Sequence, residues 1–121
     1  MENTKAEQLE ALETLIEFND RLLKNLPTII SELTGSRQAD TDSYLKTIID
    51  AIGWELSVTN ATLNTLNEDK VRLDKGSFNE KVLALNSALS AGSDSEIADA
   101  LQNLVPWFEQ LGSAAREVIS F

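Results

Sequence analysis

The chain has 121 residues, of which 42% are apolar, so it is too hydrophobic for a disordered tail and long enough for one domain, residues 1–121, with its own core. Its formal net charge of -10 repels phosphate backbones and anionic headgroups, which disfavours nucleic acid and membrane surfaces as partners. The absence of cysteine and histidine removes disulfides, thiol nucleophiles, the usual zinc ligands and imidazole catalysis.

The first predicted helix covers residues 5–34. Thr4 and Glu7 have the spacing of a capping box, and Gly35 suits the position after a helix end. Pro27 predicts a kink and not a break, because the apolar spacing continues past it. Apolar side chains recur at alternate steps of three and four, as on one face of a helix: Leu9, Leu12, Ile16, Leu23, Leu26, Ile30 and Leu33.

The second predicted helix covers residues 41–67 and follows a short connection, which implies antiparallel packing on the first. It has apolar residues on a second flank as well, so we expect it to lie centrally in the bundle. A continuation to Lys75, with Gly76 as cap, is the alternative; otherwise Val71 and Leu73 pack locally in a connection. The predicted inner positions are Leu45, Ile49, Ile52, Leu56, Thr59, Leu63 and Leu66.

Two further helices are predicted over residues 78–91 and 94–119. Each follows a capping-box pattern, Ser77 to Glu80 for the third and Ser93 to Glu96 for the fourth. Pro106 predicts a kink in the fourth helix, which is otherwise regular in its apolar spacing. The sequence therefore predicts an all-α fold, an antiparallel four-helix bundle with kinks at Pro27 and Pro106.

These patterns also predict the core and one polar contact inside it. Asn19 and Thr59 are the polar members of their helical faces, and antiparallel pairing brings them to the same level, where we expect them to meet. The side chains expected to be nearly free of solvent are Ile16, Leu23, Ile52, Leu56, Leu104 and Phe108.

The sequence offers little catalytic chemistry. Phosphate-binding glycine loops, the nucleophile elbow and calcium loops have no match in it. A carboxylate pair with a raised pKa is the remaining catalytic possibility, and Asp50 and Glu55 are the candidates. Because a lone acid on a helix usually lies on the solvated face, we expect no enzyme activity, no cofactor and no metal.

Three aromatic side chains, Phe18, Trp54 and Trp107, lie off the predicted inner faces of their helices. Large rings outside a core are enriched in protein interfaces, which makes these three the predicted partner-binding residues. The alternative is that Trp54 and Trp107 fill grooves beside small residues of the same chain.

A resemblance covers most of the chain. It is carried by Phe18-Asn19 with Leu22-Leu23, Ile29 to Leu33, Tyr44-Leu45-Lys46, Asn67-Glu68, Arg72 to Lys75, and Ala114 to Val118. These strings resemble a family of small uncharacterised all-helical proteins of Firmicutes, which implies a helical fold and no activity. In size and acidity the chain also looks like bacterial export chaperones, at the level of architecture alone.

The predicted function is a non-catalytic interaction module. We expect it to bind another protein or a helical segment through an aromatic-bearing face of the acidic bundle. A self-associating structural homodimer is the alternative, with a second copy as the partner. No basic or apolar leader follows Met1, so the expected location is the cytoplasm.

Overall fold

The computed structural model describes residues 5–120, apart from the side chain of Lys75, and contains four α-helices over that range. They are α1 (Lys5–Leu33), α2 (Thr41–Leu66), α3 (Lys75–Ala91) and α4 (Asp94–Ile119). The predicted all-α four-helix bundle is confirmed. Thr4 of the first predicted capping box lies outside the described residues. Pro27 and Pro106 lie inside continuous helices, and the kinks at these positions stay predictions.

Helices α1 and α4 form the centre of the bundle. Helix α1 packs along both α2 and α4, whereas α3 packs on α4 and α2 touches α4 at few positions. The expectation that α2 lies centrally is therefore wrong. Both neighbours run antiparallel to α1: Lys5 at its start pairs with Glu68 beyond the end of α2, and Arg37 beyond its end pairs with Asp94 at the start of α4.

The buried face of α1 is rotated from the predicted one. Its innermost residues are Leu12, Leu15, Asn19, Leu22, Leu26, Ile29 and Leu33. Ile16 and Leu23, expected to be nearly free of solvent, are only half-buried. The reason is that α1 lies between two helices, so the centre of its buried face falls between the two apolar flanks and not on one of them.

Helix α2 is rotated in the same way and turns polar side chains inward. Its buried residues are Thr41, Ile48, Ile52, Glu55, Thr59, Thr62, Thr65 and Leu66. Leu56 is therefore half-buried, against the prediction, whereas Ile52, Leu104 and Phe108 are confirmed as core. The hydroxyl of Thr59 donates to the Glu55 carbonyl at 2.8 Å, which satisfies that polar group without a partner from α1.

The predicted contact between Asn19 and Thr59 does not form. Asn19 Nδ2 instead donates to the main-chain carbonyl of Phe108 on α4 at 2.9 Å. The rotation of both helices explains this difference, since it turns Asn19 toward α4 and leaves Thr59 with the carbonyl four residues earlier in its own helix.

Residues 67–74 form the connection from α2 to α3, so α2 ends close to the predicted position. Helix α3 begins three residues earlier than predicted, because Asp74, and not Ser77, is its N-cap and accepts from Gly76 N at 3.0 Å. Leu73 is buried as expected, but Val71 is exposed. The predicted cap at Ser93 is confirmed by its bond from Glu96 N.

A buried guanidinium fixes this connection on α4. Arg72 Nη1 donates to the Leu66 carbonyl at 3.0 Å and to Asp69 at 2.6 Å, and Arg72 Nε donates to Glu117 at 3.2 Å. Gln110 Nε2 donates in turn to the carbonyl of Arg72 at 2.7 Å. Charge-assisted bonds of Arg72 therefore tie the connection to the end of α2 and to α4.

None of the four helices in the described part of the chain is long and apolar enough to cross a membrane.

Candidate functional site

The most conspicuous apolar feature of the surface is an aromatic pair between α1 and α2. The rings of Phe18 and Trp54 lie with their centroids 4.6 Å apart and tilted by 42°. Phe18 is 43% exposed and Trp54 is 39% exposed, values that are high for large apolar side chains. The guanidinium carbon of Arg21 lies 5.7 Å from the centre of the Phe18 ring, within the range of a cation–π contact.

Two hollows continue the same side of the α1–α2 contact, one on each side of the aromatic pair. The first has a volume of about 330 Å³ and is lined by Glu7, Gln8, Ala11, Ser57, Val58, Ala61 and Thr62. The second has a volume of about 300 Å³ and is lined by Phe18, Arg21, Leu22, Asn25, Tyr44, Thr47, Ile48 and Ala51. We call the two hollows and the Phe18–Trp54 pair the α1–α2 groove.

Hydrogen bonds between the helices close the groove at both ends. Thr65 Oγ1 donates to Gln8 Oε1 at one end, and Tyr44 Oη donates to Asn25 Oδ1 at 2.8 Å at the other. These contacts join α1 and α2 at both ends of the groove, so the groove is present on the chain without a bound partner.

Trp107, the third predicted partner-binding residue, lies in a different environment. It is 5% exposed, and its ring stacks on Phe78 of α3 at a centroid distance of 3.6 Å. Phe108 meets both rings edge to face. Trp107 therefore joins α3 to α4 inside the chain, as the alternative of a filled groove anticipated, and it is not part of the exposed aromatic surface with Phe18 and Trp54.

A carboxyl group is buried directly beside this aromatic surface in the chain. Glu55, next to Trp54, is 1% exposed, and neither of its carboxyl oxygens has a hydrogen-bond partner among the described residues. Burial raises the pKa of Glu55 to about 8, so the group is largely protonated near neutral pH. The expectation that it lies on a solvated face is wrong, whereas Asp50 is exposed as expected.

The sequence did not predict that Glu55 is buried, because the buried face of α2 is rotated from the face that its leucines indicate. Read from Ile48, the steps of four and three pass through Ile52, Glu55, Thr59, Thr62 and Leu66, a line in which half of the members are polar. A face chosen by its leucines excludes Glu55, and nothing local in the sequence favours the polar line. Its burial depends on the position of α1.

The two helices that form the groove carry more acidic than basic side chains. Along α1 and α2 the carboxylates outnumber the lysines and arginines, and of the groove's own lining Glu7 is acidic and Arg21 is basic. Within the described residues no group of three or more acidic side chains is arranged to hold a metal ion. The arrangement offers an apolar groove on a pair of helices with a net negative charge.

The fold and the groove define a small acidic domain of the all-α, helical-bundle class. The chain belongs to the family of the domain of unknown function DUF8042, whose model matches residues 10–114. The matched range includes α2 and α3 and most of α1 and α4, and so covers Phe18, Trp54 and Trp107. No curated protein and no solved structure matches the chain significantly.

Proposed function

We propose that this chain is a non-catalytic protein-binding module whose α1–α2 groove receives an amphipathic, basic helical segment of another protein. The observation that carries the proposal is the Phe18–Trp54 pair, two contacting rings left about two-fifths exposed on a preformed groove. Exposed aromatic rings of this kind are the residues that most often dominate binding energy in interfaces.

The dimensions of the groove favour a helix as the bound segment. Ala11 in the first hollow and Leu22 in the second lie 11 residues apart on α1, a distance of about 16 Å at the rise of an α-helix. Because 11 residues make about three helical turns, a bound helix can direct apolar side chains that far apart into both hollows from one face.

Charge favours a basic partner over a second copy of the chain. Each copy carries a net charge of -10, so two copies repel each other, whereas a segment rich in lysine or arginine is attracted to the acidic chain. The self-associating homodimer is therefore the second candidate function.

A synthetic helical peptide tests the proposal directly. The peptide has leucines at positions i, i+4, i+7 and i+11 and lysines elsewhere, and its control is a scrambled peptide of the same composition without a continuous apolar face. We expect the amphipathic peptide to bind at least about tenfold more tightly than the scrambled one, as measured by calorimetry at physiological salt. Equal affinities would show attraction by net charge alone and would overturn the proposal.

Variants of the chain locate the binding surface. Trp54→Ala should weaken binding of the amphipathic peptide by about tenfold or more, because a central interface aromatic typically contributes that much. Leu83→Ala is the matched control, since Leu83 is an exposed apolar residue on α3, outside the groove. Sedimentation of the free chain at several concentrations completes the test: a dimer that Trp54→Ala dissociates would replace the proposal with the homodimer.

Three narrower points belong to the same proposal. A cytoplasmic location and an origin in Firmicutes stay predictions from the sequence. A chaperone role would follow if the bound segment belongs to a protein that is held unassembled until the segment is released.

A further inference from the structure

Glu55 is the side chain whose environment the proposed function does not use. It lies on the buried face of α2, in a line of inward polar residues with Thr59 and Thr62. The two threonines donate to carbonyls of α2, at 2.8 Å and 2.7 Å, but the Glu55 oxygens have no hydrogen-bond partner among the described residues. A carboxyl group in this position is tolerated when neutral and strongly unfavourable when charged.

Among the residues that the structure describes, no cation is placed to neutralise Glu55. Among the described residues, the buried positions of the two helices that touch α2 are all non-ionisable: Leu12, Leu15, Asn19, Leu22, Leu26, Ile29 and Leu33 on α1, and Ile97, Ala98, Ala100, Leu101, Leu104, Trp107, Phe108, Leu111, Gly112, Ala114, Ala115 and Val118 on α4.

The charged groups elsewhere near these helices are otherwise engaged or exposed. Arg72, the other buried charge, lies in the connection after α2 and binds Asp69 and Glu117. Arg116 of α4 pairs with Asp20 of α1 on the surface. Asp50 and Arg21 are exposed. Burial is the only cause that raises the pKa of Glu55, which agrees with the absence of a charged neighbour.

We propose that the α1–α2 contact is a proton-dependent device: protonated Glu55 keeps the two helices closed beneath Phe18 and Trp54, and loss of the proton to solvent separates them and opens the groove. Ionised Glu55 reaches water only if α1 and α2 move apart, since the closed contact offers it neither solvent nor a counter-charge. The groove that responds is the one assigned to partner binding, so the inference rests on the proposed function for its biological meaning.

The test compares amide hydrogen exchange in the full-length chain and in Glu55→Gln from pH 6 to pH 9, resolved by helix with mass spectrometry. At each pH the exchange rate of the wild type is divided by that of Glu55→Gln, and this ratio cancels the intrinsic pH dependence of exchange. We expect the ratio for α1 and α2 to rise by up to about tenfold per pH unit and to level off above the pKa of Glu55, near 8.

The controls separate local opening from other effects. Asp50→Asn removes an exposed carboxylate from the same helix and should follow the wild type. Amides of α3 that exchange by local opening of that helix should show a constant ratio, because α3 packs on α4 and not on α2. A flat ratio for α1 and α2, or an equal rise in all four helices, would overturn the proposal.

Two further measurements keep the test decisive if Glu55→Gln folds poorly. Glu55→Met, an apolar side chain of similar length, should give the same pH-independent exchange. In the wild type, the ¹³C shift of the Glu55 carboxyl should change near pH 8, and a change near pH 4.5 would contradict the inference. None of these experiments uses a partner, so their failure leaves the binding proposal standing, and failure of the peptide test leaves this one standing.

Discussion

Asn19 of α1 donates a hydrogen bond from Nδ2 to the main-chain carbonyl of Phe108 on α4, at 2.9 Å, in a site where both residues are fully buried. The close approach depends on Gly112, one turn after Phe108, because a Cβ at that position would lie 2.8 Å from the same nitrogen. A glycine inside a helix is normally unfavourable, and here it makes room for the polar contact between the two central helices.

Gly112→Ala should therefore destabilise the chain by about 1–3 kcal/mol, since the added methyl displaces Asn19 from its acceptor. Gly53→Ala is the matched control: Gly53 is also inside a helix, but nothing lies within 4 Å of a Cβ built there. The control should stabilise by about 0.5–1 kcal/mol through helix propensity. Urea unfolding followed by circular dichroism measures both, and stabilisation by both substitutions would contradict the role given to Gly112.

The two tryptophans should differ sharply in their effect on stability. Trp107→Ala removes a buried ring stacked on Phe78 and should lower the free energy of unfolding by about 3–5 kcal/mol. Trp54→Ala removes a partly exposed ring and should cost about 1 kcal/mol or less. Urea unfolding of the two variants checks this, and similar losses would mean that Trp54 has a structural role larger than its contacts indicate.

Stability should fall as the pH rises from about 4.5 to about 8, because the folded state holds a proton on Glu55 that the unfolded state releases. The contribution of protonated Glu55 is complete below pH 4.5 and declines until the pH passes its folded pKa. Glu55→Gln should remove this decline and stabilise the chain by roughly 1–3 kcal/mol at pH 7. Thermal melts across the pH range test the direction.

Three carboxyl groups in surface ion pairs have lowered pKa values and therefore act below this window. Hydrogen bonds from Arg72, Arg37 and Lys70 lower the pKa values of Asp69, Asp94 and Glu117 respectively. Their stabilisation is present above the usual range for carboxyl groups and is lost as the pH falls through it. A wild-type melting temperature that is constant between pH 5 and pH 8 would therefore count against an uncompensated buried Glu55.

Arg72→Lys should loosen the connection between α2 and α3. An ammonium group cannot reproduce the fork that contacts the Leu66 carbonyl, Asp69 and Glu117 together. Limited proteolysis should cleave residues 67–74 faster in this variant than in the wild type. Lys70→Arg, which keeps the charge of the exposed neighbour that pairs with Glu117, should cleave at the wild-type rate.

The sequence by itself determined the number of helices, their class and nearly all of their ends. Those features depend on local chemistry: apolar spacing at steps of three and four, a serine cap at Ser93, and glycines at the positions of positive φ, Gly35 and Gly92. It also identified Phe18 and Trp54 as rings outside the predicted inner faces. The early start of α3 is the exception. Asp74 and Ser77 are both residue types that suit an N-cap, and the structure has Asp74 as the cap, with its side chain accepting from Gly76 N.

Only the tertiary structure decided which face of each helix is buried. An apolar helix with two flanks can turn either flank inward, and the choice depends on where its neighbours lie. Because α1 lies between α2 and α4, the centre of its buried face falls between its two apolar flanks, and α2 turned Glu55 inward while Leu56 stayed half-buried. The same arrangement buried Trp107 against Phe78 and left Trp54 beside Phe18 at the surface, a distinction that depends on contacts between helices distant in sequence.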